Sequence, residues 1–209
     1  MVVRLDNELW FPDPHFGEDD GCIAVGGDLS VDRLLLAYSY GIFPWYAYRY
    51  DDPVWYCPMQ RFVIFPEEIH ISHSMRTMMN KDKYQVSMNQ AFDTVIETCG
   101  KLRENEDMGW LGPQMTEAYK ELYRQGFAAS VEVWEKTETD GQTEKRFVGG
   151  LYGVTIGNSF FGESMCSPQC LETGADLSGS GDGKGWGPTD RLSIRNPPSE
   201  IDGGPLYSL

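Results

Sequence analysis

The alternation of apolar and polar positions changes period several times along this chain, and the most informative stretch lies between residues 147 and 165. From Phe147 to Ile156 the residues are apolar or small, Gly157-Asn158 is a two-residue turn signal, and Ser159 to Met165 resumes with aromatics. This pattern predicts a β-hairpin. Gly149, Gly150, Gly153 and Gly162 remove side chains from strands that need them for packing, which marks a bulge or a close approach by another backbone or a ligand. Glu163 follows directly after one of these glycines. A carboxylate on an apolar strand must be paired, solvated in a cleft, or in use, and an edge strand with its glutamate in water is the plain alternative.

Upstream, Leu9 to Gly21 is aromatic, proline-rich and acidic, and reads as an irregular segment packed by its Trp and Phe. Cys22 to Val25 reads as a short strand. Ser30 is placed to N-cap a helix over Val31–Tyr40, with Gly41 as the left-handed residue that ends it and Leu34, Leu35 and Tyr38 on one face. Gly41 to Tyr46 and Val54 to Pro58 make a rigid aromatic surface, because proline fixes φ and the rings carry large area on few rotors. Arg61 to Phe65 is a strand closed by Pro66, and Ser72 caps a short helix through Met79. Tyr84 to Met88 alternates as a strand. Asn89 is expected to cap a helix over Gln90–Cys99, ended by Gly100, with Phe92, Val95, Ile96 and Cys99 at helical spacing and a charged loop from Lys101 to Met108. A helix with Pro113 in its first turn and Gly126 as C′ residue follows, turning Met115, Tyr119 or Ala118, and Leu122 inward. Ser130 to Glu135 is a strand, Thr139 to Gln142 its turn, and the hairpin completes a three-stranded antiparallel meander flanked by helices.

Composition narrows the class. At 209 residues and 41% hydrophobic, the chain is long enough for one good core with a small N-terminal lobe. No apolar run is long enough to span a bilayer and the first residues lack a signal peptide, so a cytoplasmic protein with no membrane partner is expected. The five cysteines include no CxxC pair, so neither a disulfide framework nor a zinc site is indicated. His70 and His73 lie three apart without a third ligand and read as surface histidines. A net charge of −15 argues against broad nucleic-acid binding and favours a cationic partner. Gly26-Gly27-Asp28 lacks the pattern of a phosphate loop, and no Arg/Gln-x-x-Gly-x-Gly/Ala turn points to an acyl-CoA N-acetyltransferase.

Five motifs carry a more specific signal: Ala24-Val-Gly-Gly-Asp-Leu-Ser, Ala37-Tyr-Ser-Tyr-Gly-Ile-Phe-Pro-Trp, Phe65-Pro-Glu-Glu-Ile-His-Ile-Ser, Val148-Gly-Gly-Leu-Tyr-Gly-Val and Phe161-Gly-Glu-Ser-Met. Together they resemble the leucyl/phenylalanyl-tRNA–protein transferase family, in unbroken order from about Phe11 to Ser167. The resemblance implies an α+β fold: a small N-terminal α/β lobe over residues 1–60 joined to an acetyltransferase-like (GNAT-like) α/β domain over 61–169. It also implies transfer of Leu or Phe from aminoacyl-tRNA to proteins with an N-terminal Lys or Arg, which marks them for N-end rule degradation. No cofactor or metal is implied, and the protein is expected to act as a monomer. By position in the family motifs, Trp45 and Trp110 match tryptophans around the aminoacyl adenosine, Tyr38 and Tyr119 match nearby aromatics, and Glu163 matches the active-site glutamate. Departures are Gly126-Phe-Ala-Ala-Ser130, where the family has Gly-His-Ala-His-Ser, and His73, where it has Arg.

The C-terminal part departs most. The family continues with a helix and then a strand ending Ile-Asp-Cys-Gln, whose Asp and Gln belong to the catalytic centre, and neither is present. Residues 170–209 hold eight Gly, four Pro and five Ser, a composition that reads as disordered. Back-translated and read one nucleotide later, Asp190 to Gly204 permits Ile-Asp-Cys-Gln and the residues that follow it in the family. The segment after about Gln169 is therefore read as out-of-frame sequence replacing the family's C-terminal part. The expected consequences are an open sheet edge beside the hairpin, exposed Phe160 and Phe161, and impaired activity; a catalytically inactive peptide- or tRNA-binding remnant is the alternative.

Overall fold

The computed structural model describes residues 2–45, 52–103, 111–139, 142–168 and 192–195. Two sheets organise it. The first contains β1 (Val3–Leu5), β2 (Cys22–Gly26), β3 (Phe43–Trp45) and β4 (Val54–Tyr56) in the order β1-β2-β4-β3. Only the β1–β2 pair is parallel. Helix α1 (Val31–Ser39) lies between β2 and β3 in sequence and starts where Ser30 Oγ accepts from the Arg33 amide. It stops where Gly41 turns left-handed at φ +74° and the Ile42 amide donates to the Ala37 carbonyl.

The second sheet has the order β5-β10-β9-β8-β7-β6, from β5 (Phe62–Ile64), β6 (Tyr84–Met88), β7 (Ala128–Thr139), β8 (Gln142–Ile156), β9 (Ser159–Cys166) and β10 (Leu192–Arg195). Helix α2 (His73–Met79) is capped by Ser72 and exposed throughout, including both histidines near its start. Helices α3 (Phe92–Arg103) and α4 (Pro113–Arg124) pack on one face of this sheet. One continuous core joins the two halves, with Leu34, Ala37 and Tyr38 of α1, Val95, Ile96 and Cys99 of α3, and Met115, Tyr119 and Leu122 of α4 all buried in it. Arg61 ties the halves together: its Nη1 donates to the Gly41 carbonyl at 2.9 Å and its guanidinium lies 4.9 Å from the Phe43 ring.

Three expectations are corrected. Asn89 does not cap α3; it takes a left-handed φ of +56°, and its Oδ1 accepts from the Ser130 amide. The amides of Gln90 and Ala91 instead donate to Glu132, a carboxylate far away in sequence, so the helix begins two residues later than local pattern indicates. Gly100 does not end that helix, which runs to Arg103: Gly100 does not take the left-handed φ of a terminating C′ glycine. The edge beside β9 is not open. The Leu-Ser-Ile-Arg alternation of β10 pairs antiparallel with β9 and parallel with β5, because an unpaired strand edge recruits any segment able to form its hydrogen bonds. Phe160 and Phe161 are accordingly half-buried.

Candidate active site

The site starts with an irregularity in the hairpin. Tyr152 pairs with Ser164, and the next residue, Gly153, pairs with Gly162, so Glu163 is an extra residue in a β-bulge. A bulge redirects a side chain without breaking the strand. The glycines permit it: a Cβ on Gly153 would stand 2.1 Å from the Phe161 carbonyl oxygen, and one on Gly150 would stand 2.8 Å from Val95 Cγ2. Gly157, at φ +55°, closes the turn.

Glu163 is thereby placed on the helix-covered face, 7% exposed. Two tyrosines from different elements meet its carboxylate there. Tyr38, on the buried face of α1, donates to Oε1 at 2.6 Å, and Tyr119, on the buried face of α4, donates to Oε2 at 2.8 Å. The two hydroxyls are themselves 2.7 Å apart. Two hydroxyl protons cannot fill three contacts at once, so the cluster shares them around a triangle. Charge-assisted bonds of this kind offset the desolvation of a buried carboxylate. The surroundings are aromatic: Phe161 lies 5.3 Å from Tyr38, Tyr152 lies 5.5 Å edge-on to Tyr119, and Phe92 lies 5.8 Å from Tyr152.

Of the residues singled out from sequence, the structure brings Tyr38, Tyr119 and Glu163 together. Both tyrosine rings are buried, at 2% and 0% exposure, so they act here through their hydroxyls and offer no open face to a base. Trp45 sits half-buried at the end of β3, cross-strand from Val54 and against the core. Trp110 lies outside the described residues.

A cleft of about 590 Å³ opens nearby, between Gly27, Asp28, Leu29 and Pro53 on one side and Gln114, Glu117, Ala118 and Glu121 of α4 on the other. Among the described residues, Tyr38, Trp45, Tyr119 and Glu163 do not line it. Its carboxylates are held by the chain's own arginines: Asp28 lies 3.4 Å from Arg33 Nε, and Glu117 and Glu121 pair with Arg124. Among the described residues no group of His, Cys, Asp and Glu is arranged to hold a metal ion.

Two buried charged residues escaped the sequence reading. Arg33, 1% exposed, donates to the carbonyls of Asp6 and Glu8 and so fastens the N-terminal segment to α1. Glu132, fully buried on β7, accepts from Ser87 Oγ and Ser130 Oγ as well as from the Gln90 and Ala91 amides just ahead of α3. Burial pushes its carboxyl up, but the bonds from Ser130, Ser87, Ala91 and Gln90 outweigh this and hold it below the usual glutamate value. The one available signal for Glu132 is Asn89 followed by a helical stripe, which locates a helix start in need of a cap.

Two sheets sharing a core, with a buried carboxylate held between tyrosines from the two halves, define a two-lobed α+β protein with a preorganised acidic centre. The family model described as leucyl/phenylalanyl-tRNA protein transferase matches residues 63–171, and that of the N-terminal domain of the same protein matches residues 27–59. Curated proteins named leucyl/phenylalanyl-tRNA--protein transferase are similar over most of the chain. The one from Anaeromyxobacter sp. (strain Fw109-5) is 45% identical over 166 residues, covering 78% of this chain and 66% of its own length. The one from Syntrophobacter fumaroxidans is 46% identical over 165 residues, covering 78% and 67%, and that from Syntrophus aciditrophicus 45% over 178 residues, covering 84% and 70%. The chain belongs to the leucyl/phenylalanyl-tRNA–protein transferase family, and its match spans about two thirds of the length of those relatives. No described helix is long and apolar enough to cross a membrane.

Proposed function

We propose that this chain is an aminoacyltransferase scaffold that moves Leu or Phe from aminoacyl-tRNA onto the N-terminal Lys or Arg of acceptor proteins, tagging them for N-end rule degradation in the cytoplasm. In this reading the six-stranded half is an acetyltransferase-like domain and the protein works as a monomer. The observation that carries it is the Glu163 carboxylate fixed by Tyr38 and Tyr119 in a bulge of the hairpin.

The reaction sets the demands on the site. The acceptor's α-amine nitrogen attacks the ester carbonyl carbon, an amide bond forms, the bond to the ribose oxygen breaks, and the amine's proton passes to that oxygen. No covalent enzyme intermediate is needed, so the protein's contribution is positioning and charge. Glu163 supplies fixed negative charge for the amine or the acceptor's basic side chain, while the tyrosines keep it from rotating. Trp45 and Trp110 are assigned to the adenosine end of the donor, where aromatic stacking tolerates any base and contributes about 1–3 kcal/mol.

A second reading rests on one observation: the family match ends at residue 171, and the chain's match spans only about two thirds of the relatives' length. In that reading the chain binds donor or acceptor but transfers slowly or not at all. Labelled leucine transfer from Leu-tRNA to an Arg-initiated peptide separates the two. Counts above the protein-free background that depend on Glu163 support the transferase, and background counts accompanied by saturable peptide binding support the remnant.

A further inference from the structure

Trp45, assigned to the adenosine end of the donor, stands on a strand with little of its own to fix it. Strand β3 has three residues, and among the described residues it pairs only with β4, at one end of the sheet order. Its middle residue, Pro44, has no N–H to give to a ladder. A second hold comes from the other half of the molecule. Arg61 directly precedes β5, so the six-stranded sheet fixes its backbone. Its Nη1 donates to the carbonyl of Gly41, the left-handed residue between α1 and β3, at 2.9 Å. The same guanidinium lies over the ring of Phe43, the first residue of β3, 4.9 Å from its centre. Phe43 is fully buried, and its ring stacks with that of Tyr56 on β4 at 6.4 Å.

Phe43 and Trp45 are two positions apart on one strand, so their side chains share a face of the sheet. One strand repeat is about 7 Å, and a tilt of roughly 10° at Phe43 swings the Trp45 ring by about 1 Å. A misplacement of that size costs as much as ~10²-fold when a bound group must be held in register. We propose that Arg61 is a positioning residue for the donor: it sets the direction of β3, and through it the Trp45 ring, relative to the half of the molecule that carries Glu163. The geometry calls for arginine. One planar fork both donates to a carbonyl and stacks on a ring, whereas the ammonium of lysine is a point charge that cannot do both at once. The inference rests on the assignment of Trp45 to the donor, and two separate measurements distinguish a failure of Arg61's role from a failure of that assignment.

The full chain is labelled with 5-fluorotryptophan, and the Trp45 fluorine signal is identified by its disappearance in Trp45→Phe. In Arg61→Lys the Trp45 signal is expected to shift, while Trp55, held by its own bond to the Gly26 carbonyl, and Trp134, in the six-stranded half, keep theirs. Phe43→Leu, which removes the stacked ring and leaves the Gly41 contact, gives the same local shift if Arg61→Lys folds poorly. Binding of an amide-linked analogue of leucyl-adenosine is followed by calorimetry on the same proteins. Arg61→Lys is expected to raise the Kd about tenfold, the share of one base-on-aromatic contact. Combined with Trp45→Ala, it adds nothing to the loss from Trp45→Ala alone, because it acts through that ring. An unmoved Trp45 signal in folded Arg61→Lys overturns the proposal. So do equal shifts at Trp55 and Trp45, the mark of a residue that supports the whole sheet, and so do additive losses of affinity. Affinity for the analogue that is unchanged in Trp45→Ala overturns the donor assignment instead, and is told apart by a Trp45 signal that Arg61→Lys still moves.

Discussion

Glu163 is the residue on which the reading of the site depends, and its neighbours make a test of it. Tyr38 and Tyr119 each donate to one oxygen of the same carboxylate. Tyr119→Phe leaves that oxygen in a buried aromatic setting with one donor fewer, which is expected to destabilise the fold by about 1–3 kcal/mol. Tyr38→Phe has an effect of the same kind. Because the hydroxyls also touch each other at 2.7 Å, the double variant departs from the sum of the singles. Urea melts of the four proteins measure this, and strictly additive, sub-kilocalorie losses would show that the triangle contributes nothing as a unit. At this scale the sequence announces Glu163 through its glycine neighbour, and both tyrosines through their helical faces. It does not announce that the three touch, because that requires the bulge register and the meeting of α1 with α4, neither of which has a local signature. Arg33 and Glu132 were illegible for a similar reason. Period two sorts Val131 and Val133 from Glu132 but says nothing about which set faces in, and here the carboxylate does while the valines, half-buried, face the opposite side of the sheet.

Among the elements, α3 is the one whose start depends on a distant carboxylate. Glu132 is ionised in the fold with its carboxyl held below the ordinary value, so its contribution is fully present above the unfolded value of about 4.3. It is lost as pH falls through the lower, folded value. The stability gap between the native chain and Glu132→Gln, read as a difference in urea midpoint, is therefore expected to be large at neutral pH and to close in acid below that folded value; a gap independent of pH would contradict the capping role. The hairpin gives a second element-scale outcome. Gly153→Ala sets a methyl 2.1 Å from the Phe161 carbonyl, backbone that cannot yield without moving the bulge. Overpacking of this kind costs about 1–3 kcal/mol, and it displaces Glu163 as well. Thermal denaturation checks the first effect and acceptor-peptide binding the second. Elements with their own punctuation were legible: Ser30 and Gly41 around α1, Pro113 and Gly126 around α4, Gly157-Asn158 in the hairpin. The start of α3 was not, because its cap comes from another strand.

For the whole molecule, the two halves share one core, and β10 links the C-terminal region to both β5 and β9. A composition rich in Gly, Pro and Ser obscured that strand, since the overall bias hides a four-residue alternation. Ending the chain after Pro168 uncovers the β9 edge and is expected to lower the melting temperature and promote aggregation, observable by scanning calorimetry and light scattering. Replacing everything after Gln169 with the C-terminal stretch of a curated relative is expected to raise leucine transfer by roughly 10²–10⁴, the usual effect of restoring a positioned acid–base group. Equal transfer by the two chains would show that the matched region suffices.

The central claim is that Glu163 selects a basic acceptor. It is tested most directly by measuring leucine transfer to matched peptides beginning with Arg or Ala, catalysed by the native chain and by Glu163→Gln. A charge-assisted contact of about 1.5–3 kcal/mol corresponds to a ten- to hundredfold preference. Glu163→Gln is expected to lose this factor for the Arg peptide and little for the Ala peptide, whereas equal losses for both would show that Glu163 does not select the basic acceptor.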